Sequence, residues 1–320
     1  MRALKSFAIA ASLIIAASVT GSTGMAQSKI DINIGAGTQG GSQYPITVSI
    51  GTLLEKMPQI GRVTLQPGGS IGNVIRVDDG KSDIAITMSQ SLREGRLGKE
   101  PFKKPTNNAV NLITLHAFHV AIFVDEDSPI KNFKDFAGKK LNVAPKGFSI
   151  REIAETIAKM EGVHGKVDLG TLRITEAVES FKDGHHQGLM YAPSERFGAF
   201  MNLAQTRNIR LVQLDRKVMD AFIKEDPSFY IAKFPKDRSA YKNLSNSVDT
   251  LAYPNVIAAS AKMSDELAYN IVKFVAERFD EIRPSEPSLE AFDVKDMAID
   301  AGAPFHPGAV KYYRERGWIK

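Results

Sequence analysis

The sequence predicts an α/β fold of two lobes, each a mainly parallel sheet flanked by helices, joined by a hinge. Apolar and polar residues alternate at 30–34, and apolar residues then recur at helical spacing from 46 to 57, which indicates a strand followed by a helix. The same change of period repeats along most of the chain. With 320 residues, of which 43% are hydrophobic and 24% charged, the chain is long enough for two such units.

The first lobe is predicted to begin with three strands, each followed by a polar loop. These units are a strand at 30–34 with a helix at 45–57, a strand at 62–66 with a helix at 70–80, and a strand at 84–88 that runs into Ser89 and Gln90. Strands separated by helices pair in parallel, and ligands collect at their carboxyl ends. The three loops should therefore open on one edge of the sheet. A charged excursion at 94–108 and strands at 110–115 and 120–124 follow.

The glycine-rich turn at 35–45 is the strongest candidate for a binding loop. It joins the first strand to the first helix, where backbone N–H groups and the helix N-terminus attract anions. The turn lacks both the Gly-Lys-Ser/Thr ending of a phosphate loop and the three-glycine spacing of a dinucleotide site. Thr38, Ser42 and Tyr44 supply hydroxyl groups, which favours a small carboxylate as the ligand. The alternative is a flexible turn without a ligand.

The second lobe is predicted to repeat this arrangement after a break in composition at 125–129. Its elements are a strand at 141–144, a helix at 150–160, a helix at 176–182, a strand at 188–191, a helix that Pro193 opens, a strand at 209–214 and a helix at 217–224. An extended run at 250–258 returns the chain to the first lobe, where helices at 264–279 and 307–318 follow. We therefore expect a signal peptide at 1–26, the first lobe at 27–124, the second lobe at 125–252 and a return to the first lobe at 253–320.

Residues 1–26 have the three-part pattern of a secretory signal peptide, with Arg2 and Lys5, an apolar run at 7–19 and small residues up to Ala26. The apolar run is shorter than the roughly 20 residues that a membrane-spanning helix needs. Cleavage after Ala26 would place the mature protein in the periplasm, where a chain without cysteines depends on core burial. The formal net charge of +5 falls by two with this segment, an excess too small for a nucleic-acid-binding or membrane-coating surface.

The six histidines form no recognisable metal-binding or catalytic motif. His185 and His186 are adjacent in a turn, and adjacent side chains seldom converge on one ion. His119 lies in a corner between two strands, where a structural role competes with a place in the cleft. The sequence contains no Gly-x-Ser-x-Gly elbow and no convincing Ser/His/Asp set. A binding protein without catalytic residues, metal or cofactor is therefore favoured over an enzyme.

Several segments, in their order and spacing, resemble the TAXI solute-binding proteins of tripartite ATP-independent periplasmic (TRAP) transporters. They are Gly37-Thr38-Gln39-Gly40-Gly41-Ser42-Gln43-Tyr44-Pro45, Gly68-Gly69-Ser70 followed by Asn73, Gly80 with Asp83-Ile84-Ala85-Ile86 and Gln90, and the segments at 135–144 and 306–317. The resemblance covers nearly the whole mature chain. It implies a two-lobed periplasmic-binding-protein fold of type II that closes on a small organic anion, often glutamate or a 2-oxo dicarboxylate such as 2-oxoglutarate.

The resemblance also implies the residues of the ligand site. In the first lobe they are Gly37, Thr38, Ser42, Tyr44, Ser70, Asn73 and Gln90. In the second lobe the usual Gly-Ser-Gly-Thr turn is replaced by Gly147-Phe148-Ser149-Ile150, so two hydroxyl donors become apolar side chains. Phe148 is expected either to stack on a larger or less polar carboxylate or to pack between the lobes. Ser149 and Arg151 are expected to hold the anion at the helix start. Tyr191 is expected either to cover the anion, as Arg196 could, or simply to finish a strand.

The partners that the resemblance implies are the small organic anion and a TRAP membrane permease whose small and large subunits are fused. The protein is expected to be a monomer. Two alternatives stay open at this stage. One is a binding protein that presents its ligand to a signalling receptor, and the other is a secreted enzyme that acts on carboxylates.

Overall fold

The computed structural model describes residues 29–37, 39, 42–100, 102–145, 148–290 and 292–320, so the predicted signal peptide lies outside the described residues. The strands are β1 (Ile30–Ala36), β2 (Ile60–Pro67), β3 (Ile84–Met88), β4 (Ala109–His119), β5 (Ala121–Asp125), β6 (Lys140–Asn142), β7 (Asp168–Gly170), β8 (Gly188–Tyr191), β9 (Ile209–Leu211), β10 (Tyr230–Phe234) and β11 (Val248–Ser260). The helices are α1 (Gln43–Leu54), α2 (Ser70–Asp78), α3 (Ser89–Leu97), α4 (Ser149–Met160), α5 (Ile174–Lys182), α6 (Gly198–Thr206), α7 (Arg216–Glu225), α8 (Asp265–Glu277), α9 (Phe279–Ile282) and α10 (Pro307–Glu315).

The first sheet contains β1, β2, β3, β4, β10 and β11. β1 lies between β2 and β3 and pairs in parallel with both, whereas β11 pairs antiparallel with β3, β4 and β10. Ile34 of β1 and Ile50 of α1 belong to one buried cluster, which α8 and α10 complete. Val74 of α2 packs with Ala85 of β3 in another cluster. Because neighbouring strand residues point to opposite faces, helices cover this sheet on both sides.

The second sheet has the strand order β7-β6-β8-β5-β9. β6 pairs in parallel with β7 and β8, and β5 pairs antiparallel with β8 and β9. Its core contains Phe123 of β5, Ile153 of α4, Phe181 of α5 and Phe200 of α6. The helices therefore bury the apolar faces that their spacing predicts.

The chain crosses between the two sheets through β4 and β5 and returns through β10 and β11. The backbone N–H of Val120, between β4 and β5, donates to the carbonyl oxygen of Leu251 in β11 at 2.8 Å. β11 packs Leu251 and Tyr253 into the core of the second lobe and Ile257 into that of the first. The predicted two-lobed α/β fold is confirmed. Both sheets are mixed rather than mainly parallel, because the crossing strands run antiparallel to their neighbours.

Three elements depart from the predicted order. α3 occupies residues that the sequence assigns to a strand end and a charged excursion. It buries Leu92 and Gly95, and its charged residues are half-buried. β7 has three residues, too few for a periodic pattern, and β10 has only Phe234 fully buried. Their places are set by pairing with β6 and β11 rather than by local pattern.

Within the described residues, no helix is both long enough and apolar enough to cross a membrane.

Candidate ligand-binding site

The carboxyl ends of β6, β7 and β8 meet at one edge of the second sheet. There they border a cavity of about 380 Å³, which we call the strand-end cavity. It is lined by Ala144, Pro145, Phe148, Ile150, Arg173, Ile174, Thr175, Tyr191, Ala192, Pro193, Phe197 and Phe200. This is the position at which α/β sheets bind ligands, and the volume suits a small organic molecule.

Three helices begin at the strand-end cavity. The residues that immediately precede α4, α5 and α6 are Phe148, Arg173 and Phe197, and all three line the cavity. None of these side chains caps its helix by a hydrogen bond. Each helix N-terminus carries a partial positive charge and free N–H groups in its first turn. The cavity is therefore bordered by three groups of donors suited to an anion.

Arg173 adds a full positive charge at the same place. Its guanidinium carbon lies 5.4 Å from the centre of the Phe148 ring, in a cation–π contact. The side chain is exposed, and none of the described carboxylates lies within ion-pairing distance of it. Because no acidic side chain of the described chain neutralises this charge, a ligand oxyanion is a natural partner.

The rest of the cavity is a rigid apolar wall. Phe200 is fully buried and stacks on Phe123, with 4.2 Å between the ring centres. The rings of Tyr191 and Phe197 pack against Phe200 at 6.0 and 5.8 Å. Packed aromatic rings of this kind have little freedom to move. The wall is therefore suited to a flat or bulky apolar group.

The ring of Tyr191 forms part of this wall, and its hydroxyl group is hydrogen-bonded within the protein. The hydroxyl accepts a hydrogen bond from Asn142 Nδ2 and donates one to the carbonyl oxygen of Leu172, both at 2.6 Å. Burial raises the pKa of Tyr191, so the phenol is neutral. Its predicted role as a cover for the ligand stays a prediction, and the geometry supports contact through the ring.

The remaining predicted residues of the second lobe have partners within the protein. Arg151 donates to Glu155 Oε1 at 2.8 Å and to the carbonyl oxygens of Leu169 and Gly170 at 3.2 and 3.1 Å. These bonds join the start of α4 to β7. Ser149 interacts with the buried hydroxyl group of Tyr253. That Arg151 and Ser149 contact the ligand stays a prediction. In the described geometry both side chains bond to other parts of the protein.

The glycine-rich turn of the first lobe is described only in part, since Thr38, Gly40 and Gly41 lie outside the described residues. Gly37 comes so close to the start of α1 that an added Cβ would lie 2.6 Å from the Cβ of Gln43 and 2.7 Å from the backbone nitrogen of Tyr44. A side chain at this position would clash with backbone, so the turn requires glycine. Ser42 precedes α1 without capping it, and both Ser42 and Tyr44 are half-buried.

Asn73 ties together the carboxyl ends of β1 and β3. Its Nδ2 atom donates to the carbonyl oxygens of Ala36 at 2.9 Å and Ile86 at 2.8 Å. The side chain is 1% exposed, and its Oδ1 atom has no partner among the described residues. Ser70 starts α2 and is half-buried, and its carbonyl oxygen accepts from Thr87. Asn73 therefore shapes the edge on which the first-lobe loops lie.

Replacement of Asn73 by alanine is expected to lower the free energy of unfolding by about 2 kcal/mol. Two buried carbonyl oxygens would each lose a hydrogen bond, at roughly 0.5–1.5 kcal/mol apiece, although that of Ala36 keeps its bond from the backbone N–H of Gly68. Urea denaturation measures the change, with Asn270→Ala, at a half-buried position of α8, as the control. A variant with unchanged stability and weakened ligand binding would instead place Asn73 in direct contact with the ligand.

Gln90 lines a different cavity, of about 190 Å³, between α3 of the first lobe and α4 and α7 of the second. Its Nε2 atom donates to Glu94 Oε1 at 3.1 Å. Burial raises the pKa of Glu94, and the charges of Asp226 and Glu152 raise it further. These acidic neighbours disfavour an anion, so the predicted ligand contact of Gln90 is not supported by its surroundings and stays a prediction.

The structure thus brings Phe148 and Tyr191 together and adds Arg173 and Phe197, which sequence reasoning missed. Arg173 was missed because β7, the strand that precedes it, has only three residues and so shows no periodic pattern.

The His185-His186 pair shows no sign of a metal site, since His186 Nδ1 lies 2.9 Å from Ser180 Oγ. Within the described ranges, His, Cys, Asp and Glu side chains form no group of three that could hold a metal ion.

Comparison with known proteins identifies both the fold and the family. The solved structure of a TctC solute-binding protein from Polaromonas is similar, with a TM-score of 0.56, 14% identity and coverage of 90% of this chain and 98% of that chain. The periplasmic aliphatic sulphonate binding protein SsuA from Escherichia coli has a TM-score of 0.51, 15% identity and coverage of 90% and 84%. At these identities the similarity concerns the fold. A sequence profile of the NMT1-like family matches residues 34–317, so the chain belongs to the NMT1-like family.

Proposed function

We propose that this protein is a periplasmic solute-binding protein that captures a small organic oxyanion with an apolar body. The observation that carries the proposal is the unneutralised Arg173 beside three helix N-termini, at the mouth of an apolar cavity. The guanidinium group and the helix N-termini would bind the anionic end of the ligand. The packed aromatic rings would contact its apolar body.

The apolar wall narrows the class of ligand. Phe148 and Ile150 stand where the resembling family has hydroxyl side chains, and both line the strand-end cavity. A short, fully polar dicarboxylate would leave these surfaces without a partner. A monocarboxylate or sulphonate with an aliphatic or aromatic body would cover them, at about 25 cal/mol for each Å² of apolar surface buried. SsuA, a protein of similar fold, is named for binding aliphatic sulphonates.

Binding rather than catalysis suits the groups that line the cavity. The described lining includes the hydroxyl groups of Thr175 and Tyr191, and that of Tyr191 is committed to Asn142 and Leu172. An activated nucleophile needs a base within hydrogen-bonding distance, and neither a histidine nor a carboxylate lies among the described lining residues. The solved proteins of similar fold reported above are likewise binding proteins.

In this proposal the protein is a TAXI-type component of a TRAP transporter. Its signal peptide is cleaved after Ala26, and the loaded protein delivers its ligand to a permease with fused small and large subunits. The support is the order of the motifs from the glycine-rich turn to the segment at 306–317, together with the two-lobed fold. Loss of uptake in a strain that lacks the permease would separate delivery from presentation to a signalling receptor.

The ligand class is tested with matched compounds on the purified mature protein. We expect isothermal titration calorimetry to detect binding of monocarboxylates or sulphonates of six to ten carbon atoms, with affinity that rises with the apolar area. The matching primary amides and alcohols, which keep the body but lose the charge, should bind at least tenfold more weakly, because a charge-assisted bond contributes about 1.5–3 kcal/mol. Equal binding of acid and amide would contradict the anion site, and preference for acetate or oxalate would contradict the apolar site.

A further inference from the structure

The strand-end cavity is bordered by one lobe only. Its described lining residues all lie between positions 144 and 200, within the second lobe. At its mouth Phe148 is 41% exposed, and Arg173 is exposed as well. A two-lobed binding protein encloses its ligand by turning one lobe towards the other. The structure therefore shows an open orientation, in which the first lobe does not cover the cavity.

The segment at 192–197, between β8 and α6, lies next to both the ligand site and the first lobe. It contributes to the wall of the strand-end cavity through Ala192, Pro193 and Phe197. Its Glu195 lines another cavity, of about 260 Å³, which we call the hinge cavity. Residues at 288–299 of the first lobe line the same cavity. Contacts between the first lobe and this segment are therefore also contacts with the wall of the ligand site.

Arg196 joins this segment to the first lobe by an ion pair. Its guanidinium group pairs with Glu290, which follows Leu289 of the first-lobe core. It also pairs with Asp237, after β10, at 3.6 Å. The side chains of Arg196 and Glu290 are 35% and 60% exposed, so water weakens their attraction. A modest interaction is nevertheless enough to shift an equilibrium between two orientations of the lobes.

The backbone of Arg196 has an unusual conformation that presents its charge to the first lobe. Its φ of +56° lies in the left-handed region, which residues other than glycine seldom adopt. This conformation costs free energy, which the surrounding contacts must offset. One of these contacts is the hydrogen bond that the backbone N–H of Phe197 donates to the hydroxyl group of Tyr241 at 3.2 Å. The turn thus pairs Arg196 with the first lobe while Phe197 lines the ligand cavity.

The hinge cavity gives the lobes room to turn at this junction. Glu195 of the second lobe and Ser288 and Phe292 of the first line it without filling it, and a loosely packed junction deforms more easily than a close-packed one. Arg196 and Glu290 belong to different lobes, so a rotation about the crossing strands changes their separation. Because a hydrogen-bonded ion pair depends steeply on distance, this pair is specific to the orientation seen here.

Another ion pair at the junction is less sensitive to such a rotation. Arg93 of α3 pairs with Asp226 at 3.2 Å. Asp226 lies just before β10, a strand of the first sheet, and the nearby carbonyl oxygen of Ser228 accepts a hydrogen bond from Ser89 of α3. This stretch is held by the first lobe. A rotation of the second lobe therefore changes the Arg93 pair less than the Arg196 pair.

We propose that the ion pair of Arg196 and Glu290 is a latch that holds the ligand site open. The proposal rests on the proposed function, in which the lobes close on the ligand. The pair is made in the open orientation and lost on closing, so it adds to the free energy that closing requires. A broken latch therefore raises the affinity for the ligand. Arg196 then acts through the orientation of the lobes, as a positioning residue, rather than as the cover that the sequence suggests.

The first arm of the test measures the orientation of the lobes without ligand. The chain contains no cysteine, so Lys159→Cys in α4 and Lys273→Cys in α8, both at exposed positions, place one spin label on each lobe. Double electron–electron resonance then reports the distribution of distances between the labels. Glu290→Lys, which turns the attraction into repulsion, is expected to change this distribution. An unchanged distribution would overturn the latch, whether or not a ligand binds.

A charge exchange and a matched control complete this arm. Arg196→Glu combined with Glu290→Lys restores an attractive pair and should move the distribution back towards that of the parent protein. The return is expected to be partial, because Asp237 then repels the new carboxylate. Glu277→Lys changes the net charge equally at an exposed position of α8 and should leave the distribution as it is. The same change in Glu277→Lys as in Glu290→Lys would overturn the specific pair.

The second arm measures the affinity for octanoate by calorimetry. We expect Glu290→Lys to bind octanoate roughly three- to tenfold more tightly than the parent protein, and Glu290→Gln roughly two- to threefold. The charge exchange should bring the affinity back towards that of the parent. Distances that change while the affinity falls or stays the same would overturn the latch. Distances that change as expected in a protein that binds no octanoate would support the latch and contradict the proposed ligand instead.

Discussion

Replacement of Arg173 by glutamine is expected to weaken binding of the oxyanion ligand by roughly 30- to 100-fold, or about 2–3 kcal/mol. The change removes the one full positive charge of the described cavity lining and its contact with the Phe148 ring, 5.4 Å away. The side chain of Arg173 has no hydrogen bond or ion pair within the described chain, so the folded protein loses little when it is replaced. Calorimetry should therefore report a large loss of affinity, and thermal denaturation an unchanged midpoint.

Two further variants sharpen this test. Arg62→Gln removes an exposed arginine of β2 and changes the net charge equally, so it controls for long-range electrostatics. Arg173→Lys keeps the charge but loses the planar donor pair, and should recover part of the affinity. If Arg173→Gln binds the ligand as tightly as the parent protein, the anion lies elsewhere, and the first-lobe residues Ser42, Tyr44 and Ser70 become the leading candidates.

The sequence was sufficient for the fold wherever an element is long and amphipathic. α1 and α8 could be predicted because their apolar residues recur at helical spacing, and β1 because apolar and polar residues alternate at 30–34. β7 and β10 could not, since three residues carry no period and a half-exposed strand has no continuous apolar face. Their pairing is a long-range property that depends on where β6 and β11 lie.

The candidate site was predictable in its location but only partly in its residues. Tyr191 ends one predicted strand and Phe148 lies in the turn after another, so their place at a sheet edge could be inferred. Arg173 follows β7, which is too short to be recognised from the sequence pattern. Arg151 stands two residues from the start of α4, a position that suits an anion contact, but Glu155 lies one turn further along the helix and pairs with it. Asn73 is a similar case, because its bonds to Ala36 and Ile86 exist only after β1 and β3 have come together.

Lowering the pH from 7 to 5 is expected to destabilise the folded protein through His116 and His119, by about 2 kcal/mol for each residue. Burial lowers the pKa of His116 from its ordinary value of 6.5 to about 4, and that of His119 to about 3. For His119 the Pro193 hydrogen bond opposes the shift, while the nearby charge of Lys236 adds to it. Between pH 6.5 and these lower values, the unfolded chain binds protons that the folded chain excludes, so stability falls as the pH falls.

The measurement is urea denaturation at pH 7 and pH 5 on the parent protein and on His119→Phe. Phenylalanine keeps the stacking on Phe234 but cannot take up a proton, so the loss of stability between the two pH values should shrink by about 2 kcal/mol. His164→Gln, at an exposed position, serves as the matched control. A loss in His119→Phe as large as in the parent protein would mean that His119 takes up a proton in the folded state as readily as in the unfolded chain. The junction of the lobes would then admit a charged imidazole, contrary to the neutral ring that the burial of His119 predicts.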